Sequence, residues 1–380
     1  MMGLTYVDWL VLFATLVSCF AACSLIVLTQ RWHGAFSLDH DTDGAQKFHT
    51  VPVPRVGGLG LFIGLLVAAL SWRYVADDEA SDKAIWLLAC GLPAFGAGLI
   101  EDFTKNVSVR TRLIATFVAA ALAVWLLNAQ LADLDTPGLD QLLLLSPFLA
   151  FAFTCFAVSG VANAVNIIDG FNGLAGSACV LMLIGLGALA HGVGDMMVLK
   201  LCLMGVAAFV GFLFLNFPFG KIFLGDGGAY LAGFWVAECA VLLLSRNPEV
   251  STWAVLLCCI YPVWETMFSM WRKSVVRKTG MGRPDKLHFH MLIYRRWTRR
   301  FLPQHAPTWQ RHMLTTLAIA TMGAGVQVFV WLASRSTQAH IAFLSGIGMF
   351  AFVYIVTYRD LTIRIAADSG EPDVPLPRAN

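Results

Sequence analysis

Residues 163–175 read N-A-V-N-I-I-D-G-F-N-G-L-A and place one acid, three amides and two glycines between two long apolar runs. A carboxylate such as Asp169 and irregular backbone are costly in hydrocarbon unless they line a wet cavity walled by protein. A chain with this stretch is therefore expected to cross the membrane many times and to use Asp169 for chemistry or transport.

The rest of the chain has the composition of a membrane protein. Of its 380 residues, 58% are hydrophobic and 13% are charged, and the mean hydropathy is +0.70. A membrane span needs about 20 largely apolar residues. Eleven segments approach this length: 6–29, 56–75, 84–100, 113–130, 141–160, 174–191, 197–216, 228–245, 252–271, 313–333 and 340–357. We expect an all-α integral membrane protein, with one polytopic domain at 1–357 and an irregular, Pro-rich cytoplasmic tail at 358–380.

The distribution of Lys and Arg predicts the orientation of these spans. Of the 26 Lys and Arg residues, 21 fall in alternate loops and the C-terminal tail. Under the positive-inside rule that side is cytoplasmic, which puts the N-terminus outside and the C-terminus inside. The positions of the basic residues therefore report topology, the net charge of +2 says little about nucleic acid, and no nucleic-acid partner is expected. The nine cysteines lie in or beside apolar segments and are expected to be buried thiols.

Five segments are unusually polar, and the predicted topology puts every one of them on the inner face. They are 47–58, 101–105, 163–175, 216–230 and 283–290. Chance would scatter such segments over both faces of the membrane. Their common side predicts one site at the inner membrane boundary.

Two of these segments supply cationic side chains. These are Lys47, His49 and Arg55 in K-F-H-T-V-P-V-P-R-V-G-G, and Arg283, His288 and His290 in R-P-D-K-L-H-F-H. Such donors suit a diphosphate, and the alternating histidines suit one face of an extended segment. The alternatives are a juxtamembrane anchor for the first set and surface histidines for the second. Zinc would lack further ligands nearby.

The other three segments supply carboxylates and amides. They contain Glu101 and Asp102 followed by Lys105, then Asn163, Asn166 and Asp169 at a spacing of three, and Asp226 among glycines. Carboxylates can ligate a hard divalent cation, and a helix start at Asp226 would favour phosphate. A helical start would also place the two amides and Asp169 on one face. The alternatives are a solvated acid pair and helix capping by Asn or Asp.

Glu265 is an acid inside the ninth apolar segment. An unpaired charge there would be costly, so we expect its side chain to face the protein interior. A basic group or a backbone N–H is the expected partner.

Together these motifs resemble the polyprenyl-phosphate N-acetylhexosamine-1-phosphate transferase family over about residues 45–296. Residues 163–175 and 223–228 carry the resemblance most specifically, and K-x-H-x-x-P-x-P-R-x-G-G is similar to the GlcNAc-type branch. The resemblance implies transfer of N-acetylhexosamine-1-phosphate, with GlcNAc first in rank, from a UDP-sugar to undecaprenyl phosphate, releasing UMP. It also implies Mg²⁺, or Mn²⁺ in its place, at the cytoplasmic face of a bacterial inner membrane. The reaction would be the first membrane step of envelope polysaccharide synthesis, and a homodimer is compatible with it.

The resemblance also assigns roles to individual residues. Asp226 and Asp169 would hold the metal. Asp102 would position or deprotonate the lipid phosphate, and catalysis would further involve Asp169, Glu101 and Lys105. Substrate binding would fall to Lys47, His49, Arg55, Asn163, Asn166, Asn172, Arg283, His288 and His290.

Three positions depart from the family pattern. Glu101 stands where the family usually has the first of two aspartates, and a longer carboxylate can still ligate Mg²⁺. Asn172 replaces an aspartate, which puts a metal role for that position in doubt. Met291 stands where the GlcNAc-type loop often has a histidine, so donor choice could differ.

Two other functions fit part of the pattern. A secondary transporter for an acidic solute also has broken helices and a buried acid, but its site would lie near the bilayer midplane. A CDP-alcohol phosphotransferase would carry D-G-x-x-A-R, whereas Asp169 and Gly170 are followed by F-N-G-L. The clustering at the inner boundary favours the transferase.

Overall fold

The computed structural model describes residues 3–38, 52–75, 79–276, 278, 285, 287–303 and 305–369, with side chains through residue 363. These parts of the chain form fourteen α-helices and contain no β-strand. The helices are α1 (Tyr6–Ser37), α2 (Gly57–Val75), α3 (Glu79–Thr104), α4 (Val109–Leu127), α5 (Leu139–Leu145), α6 (Pro147–Ile168), α7 (Leu174–Val193), α8 (Met196–Asn216), α9 (Gly225–Arg246), α10 (Thr252–Cys258), α11 (Ile260–Trp271), α12 (Phe289–Leu292), α13 (Thr308–Ala333) and α14 (Ala339–Ser369).

Ten helices in the described part of the chain are long and apolar enough to cross a membrane. The pair α10 and α11 is bent by 82° at Cys259, and counting it as one broken span raises the number to eleven. This confirms the all-α membrane class and agrees with the eleven predicted segments. The last helix continues to Ser369, beyond the predicted end of its span at residue 357. The sidedness of the termini and the division into domain and tail stay predictions.

Helix α9 lies at the centre of the molecule. Every residue from Gly225 to Leu243 is buried, and the helix packs against α2, α3, α6 and α7. A Cβ atom at Gly58 of α2 would lie 2.4 Å from the Cα atom of Gly228, and one at Gly98 of α3 would lie 2.5 Å from the nitrogen of Gly227. Because only glycine permits such close approach, α2 and α3 fix the position of the first turn of α9.

The 163–175 stretch forms the turn between α6 and α7. Helix α6 ends at Ile168, Asp169 takes its C-cap position, and Gly173, with a left-handed φ of 80°, is the N-cap of α7. The two amides expected at a helical start, Asn163 and Asn166, instead lie in the last turns of α6. Helix α6 continues past residue 160, the predicted end of its span. It can include these amides because they contact α4 and α9 rather than lipid.

Candidate active site

The 47–58 and 216–230 segments meet through their backbones. The N–H of Phe223 donates to the carbonyl of Pro54 at 2.8 Å, and the N–H of Gly57 donates to the carbonyl of Phe223 at 2.9 Å. Gly225 follows with a left-handed φ of 76°, and a Cβ atom at this position would clash with the carbonyl of Arg55. This pairing brings the side chain of Arg55 to the start of α9.

Asp102 of α3 binds the backbone of the first turn of α9. Its Oδ1 atom accepts the N–H of Asp226 at 2.8 Å, and its Oδ2 atom accepts the N–H of Gly227 at 2.9 Å. Arg55 Nε also lies 3.5 Å from Oδ1, and Asp102 is 2% exposed. These bonds satisfy two free N–H groups of the helix terminus. Asp102 thus positions Asp226, while its predicted role as a base toward the lipid phosphate stays a prediction.

The Asp226 carboxylate lies between two arginines. Arg55 Nη2 donates to Oδ1 at 2.8 Å, and Arg112 Nη1, from the first turn of α4, forms an ion pair with Oδ2. Asn166 Nδ2 also contacts Oδ1 at 3.3 Å. Helices α4 and α6 and the loop before α2 therefore converge on one buried carboxylate of α9, with two arginines beside it.

A cavity of about 390 Å³ opens beside Asp226. Each of the five predicted segments contributes to its wall, through Arg55, Glu101, Asp169, Asp226 and His288. Glu101 is half-buried, and its Oε2 atom also accepts the N–H of Val107 at 2.7 Å. Segments that are far apart in sequence thus form a single polar site.

Asp169 occupies the part of the wall formed by the α6–α7 turn. Burial raises the pKa of Asp169 to about 7, and the positive charge of Arg55 limits this rise. At neutral pH the group can therefore hold or release a proton without a large free-energy cost.

Asn172 anchors the opposite side of the turn. Its Nδ2 atom donates to the carbonyl of Pro218 at 2.9 Å, and its backbone N–H donates to Nδ1 of His312 at 3.2 Å. Thr316 donates its hydroxyl to the carbonyl of Asn172 at 2.8 Å. The amide at this position has a structural use that the aspartate usual in the family could not serve, since a carboxylate cannot donate to Pro218.

The two predicted histidines have different surroundings. His288 lines the cavity, and its Nδ1 atom lies 2.8 Å from Oε1 of Glu265. His290 is fully buried, contacts the hydroxyl of Tyr261 at 3.2 Å, and packs against the ring of Phe171. Burial lowers the pKa of His290 to about 3, so the ring is neutral at physiological pH. The expected partner of Glu265 is therefore present, and His290 supports the wall.

Comparison with known proteins agrees with this geometry. Residues 84–244 match the model of glycosyl transferase family 4. The "Probable undecaprenyl-phosphate N-acetylglucosaminyl 1-phosphate transferase" of Bacillus subtilis (strain 168) is 28% identical over 253 residues, covering 66% of this chain and 68% of the relative. Over residues 84–244 the chain is thus similar to glycosyl transferase family 4.

Further relatives point the same way. The undecaprenyl-phosphate alpha-N-acetylglucosaminyl 1-phosphate transferase of Yersinia pestis is 28% identical, covering 67% of this chain and 69% of its own length. The decaprenyl-phosphate N-acetylglucosaminephosphotransferase of Mycobacterium tuberculosis is 27% identical, covering 73% of each chain. The motif-based prediction of the family is confirmed, and the chain is an enzyme of the phosphotransferase class.

The remaining predicted site residues are placed as follows. Asn163 donates to the carbonyl of Ser159 at 2.7 Å and contacts Thr116, one turn away from the Asp226 contact of Asn166. Lys105 follows the end of α3 as an exposed residue with a left-handed φ of 58°. Lys47, His49 and Arg283 lie outside the described residues.

Two titratable side chains of the cavity wall, Arg112 and His312, were not among the predicted site residues. Arg112 counts toward the positive-inside pattern, and it lies in the first turn of an apolar helix, four residues after the N-cap Ser108. His312 lies in the first turns of α13, beyond the region of resemblance. A polar residue in the first turns of an apolar helix was the available signal in both cases.

Proposed function

We propose that this enzyme transfers N-acetylglucosamine-1-phosphate from UDP-N-acetylglucosamine to undecaprenyl phosphate and releases UMP. The observation that carries the proposal is Asp226, held between Arg55 and Arg112 in a cavity that Asp169 and His288 also line. The names of all three relatives support a polyprenyl-phosphate acceptor and the GlcNAc-phosphate group, and two of them name undecaprenyl phosphate. The bacterial inner membrane, with the cavity on the cytoplasmic face, is the location we propose.

In this reaction an oxygen of the lipid phosphate attacks the β-phosphorus of the donor. The bond from that phosphorus to the bridging oxygen breaks, and UMP leaves with the electron pair. Catalysis of phosphoryl transfer depends mainly on positioning of the two substrates and on stabilisation of the charge that develops in the transition state. Arg55 and Arg112 supply positive charge at the cavity wall, and Asp102 keeps the start of α9 in place through its two backbone bonds.

A divalent cation fits the donor set of this cavity. Carboxylate oxygens of Asp226, Asp169 and Glu101 share the wall with the amide of Asn166. In the described parts of the chain, no three His, Cys, Asp or Glu side chains are close enough to hold a metal by themselves. Mg²⁺ commonly binds through one or two carboxylates and completes its shell with water and substrate phosphates, so this arrangement suits it. When bound, Mg²⁺ would neutralise diphosphate charge; Asp226 and Asp169 are the ligands we propose, and Mn²⁺ could replace it.

The proposal is tested with purified protein in detergent, undecaprenyl phosphate, Mg²⁺ and a panel of UDP-sugars. UMP release is expected with UDP-N-acetylglucosamine, is expected to cease with a chelator, and should return when Mg²⁺ is restored. Asp226→Asn is expected to remove most turnover. Asp82→Asn, which changes an exposed acid paired with Arg73, serves as the matched control and should retain it. Absence of UMP with every UDP-N-acetylhexosamine would overturn the proposal and favour a transporter.

A further inference from the structure

Arg272 is a buried charged side chain directly after α11. It is 4% exposed and forms an ion pair with Asp285, which is 2% exposed and also accepts the hydroxyl of Ser269 at 3.2 Å. Burial would raise the pKa of Asp285, but the charge of Arg272 and the hydrogen bond from it lower the value to about 2. The pair is therefore ionised at neutral pH, although neither of its members is part of the cavity wall.

This ion pair binds the backbone of the residue before His288. Nη1 of Arg272 donates to the carbonyl of Leu287 at 3.0 Å. Oδ1 of Asp285 accepts the N–H of Leu287 at 3.0 Å. Both polar backbone groups of Leu287 are thus bound, one by each member of the pair.

Glu265 binds the other side of the same segment. Its Oε1 atom lies 2.8 Å from Nδ1 of His288, and the N–H of Phe289 lies within 3.3 Å of both carboxylate oxygens. Glu265 and Arg272 are seven residues apart, so they lie two turns apart on one face of α11 and its continuation. The residues before and after His288 are therefore attached to the same helix face.

The partners of Arg272 require the shape of a guanidinium group. Besides Asp285 and Leu287, its Nη1 atom donates to the hydroxyl of Tyr358 on α14 at 2.8 Å. The guanidinium carbon also lies 5.7 and 5.3 Å from the ring centroids of Phe268 and Tyr358, which is within the range of a cation–π interaction. A lysine would keep the positive charge, but its compact ammonium lacks the planar fork that reaches several partners at once.

We infer that Arg272 is a positioning residue for His288: through the backbone of Leu287 it keeps the imidazole at the cavity wall. Arg272 itself contacts no substrate in this role. The effect on turnover rests on the proposed function, whereas the attachment of residues 287–289 to Arg272 can be measured without any reaction.

The first test is amide hydrogen exchange of peptides that cover residues 287–292, measured by mass spectrometry on the full chain in detergent. Arg272→Lys should speed exchange in these peptides about 10-fold, the effect of losing one hydrogen bond to a charged group. Tyr358→Phe removes one partner of the guanidinium and should speed exchange there by a smaller factor. Arg299→Lys makes the same chemical change on an exposed side chain and should leave exchange at 287–292 unchanged. Unchanged exchange in Arg272→Lys would overturn the inference.

The second test separates positioning from a general loss of folded protein. Release of labelled UMP is followed for Arg272→Lys in the wild-type background and in a His288→Ala background, with thermal midpoints for every variant. Arg272→Lys should lower kcat about 10-fold when the imidazole is present and less than about 2-fold when it is absent, because nothing is then left to position. An equal loss in both backgrounds would overturn the inference and make the ion pair a support of the fold alone. A wild-type protein that releases no UMP would instead refute the proposed function, and faster exchange in Arg272→Lys would still support the attachment of the segment.

Discussion

The Nδ1 atom of His288 lies 2.8 Å from the Oε1 atom of Glu265, so a histidine of the cavity is held by a carboxylate buried in the broken span. Tyr354 of α14 donates its hydroxyl to the other carboxylate oxygen at 2.7 Å, and the N–H of Phe289 lies within 3.3 Å of both oxygens. A carboxylate that receives these donors acts as the acceptor for Nδ1 and fixes the ring of His288. The last helix therefore supports the site although it contributes no charge to it.

Glu265→Gln should lower kcat, because an amide cannot accept from His288, Phe289 and Tyr354 as the carboxylate does. Loss of such an orienting partner typically costs about 10- to 100-fold in activity. Tyr354→Phe removes one donor and should have a smaller effect in the same direction. UMP release at saturating donor measures both, with thermal midpoints as the check on folding. Wild-type kcat in Glu265→Gln would show that the orientation of His288 does not depend on this carboxylate.

Arg112 should be needed for turnover because it brings positive charge to Asp226 at the cavity wall. Arg112→Ala is expected to reduce kcat/KM about 100-fold, the scale reported for loss of one charge-stabilising donor. The neighbouring Arg110 is exposed on the same helix, so Arg110→Ala is the matched control and should remain within about 2-fold of wild type. Equal effects of the two substitutions would mean that only overall charge at this face matters.

The convergence of the five polar segments could be predicted because each interrupts or ends an apolar run. Their shared side then follows from the distribution of Lys and Arg. Neighbouring residues on a helix point in different directions, so Glu101 and Asp102 could not both face the site. Which one does so depends on the packing of α3 against α9, and the structure turns Asp102 toward Gly227 and Glu101 toward the cavity.

Arg112 and His312 could not be predicted for a related reason. Their positions in the site depend on how α4 and α13 cross the other helices, and a single sequence does not report crossing angles. The exchange of Asp for Asn172 was visible, but the need for a donor to Pro218 arises only when the turn after α8 folds against it. Likewise the alternation of His288 and His290 predicted a common face, whereas the short helix α12 begins at Phe289 and buries the second ring.

The orientation can be measured because all nine native cysteines are buried. A single cysteine introduced at the exposed Arg110 should resist an impermeant thiol reagent in intact cells and react once the membrane is opened. One introduced at the exposed Ser336, between α13 and α14, should react in intact cells. Labelling of the Arg110 site in intact cells would reverse the predicted sidedness.

Asn172→Asp should destabilise the protein even though an aspartate is usual at this position in the family. The carboxylate would lie against the carbonyl of Pro218, which now accepts a hydrogen bond from Nδ2 at 2.9 Å. Leaving such a partly buried acceptor unpaired costs about 1–3 kcal/mol of unfolding free energy. The thermal midpoint should therefore fall, and Asn172→Ala, which adds no charge, should lower it less. A thermal midpoint equal to that of the wild type would show that the 216–220 turn is stable without the hydrogen bond from Asn172.

His290 should make the stability of the enzyme depend on pH. Burial is the main cause of its low pKa of about 3, the nearby charge of His288 adds to it, and Glu265 opposes both. An unfolded histidine titrates near pH 6.5, so between that value and pH 3 the unfolded chain binds a proton that the folded chain does not. Stability is therefore fully present above the unfolded pKa and is lost as the pH falls below it.

Between pH 7.5 and pH 5.5 this difference amounts to about 1.4 kcal/mol of unfolding free energy. The thermal midpoint of the wild type should decline over this interval. His290→Phe keeps an aromatic ring in the same space and removes the titrating group, although it loses the contact with Tyr261. Its midpoint should therefore start lower but change less with pH, so the comparison is between slopes rather than absolute values. Parallel slopes for the two proteins would show that His290 is accessible to protons in the folded state.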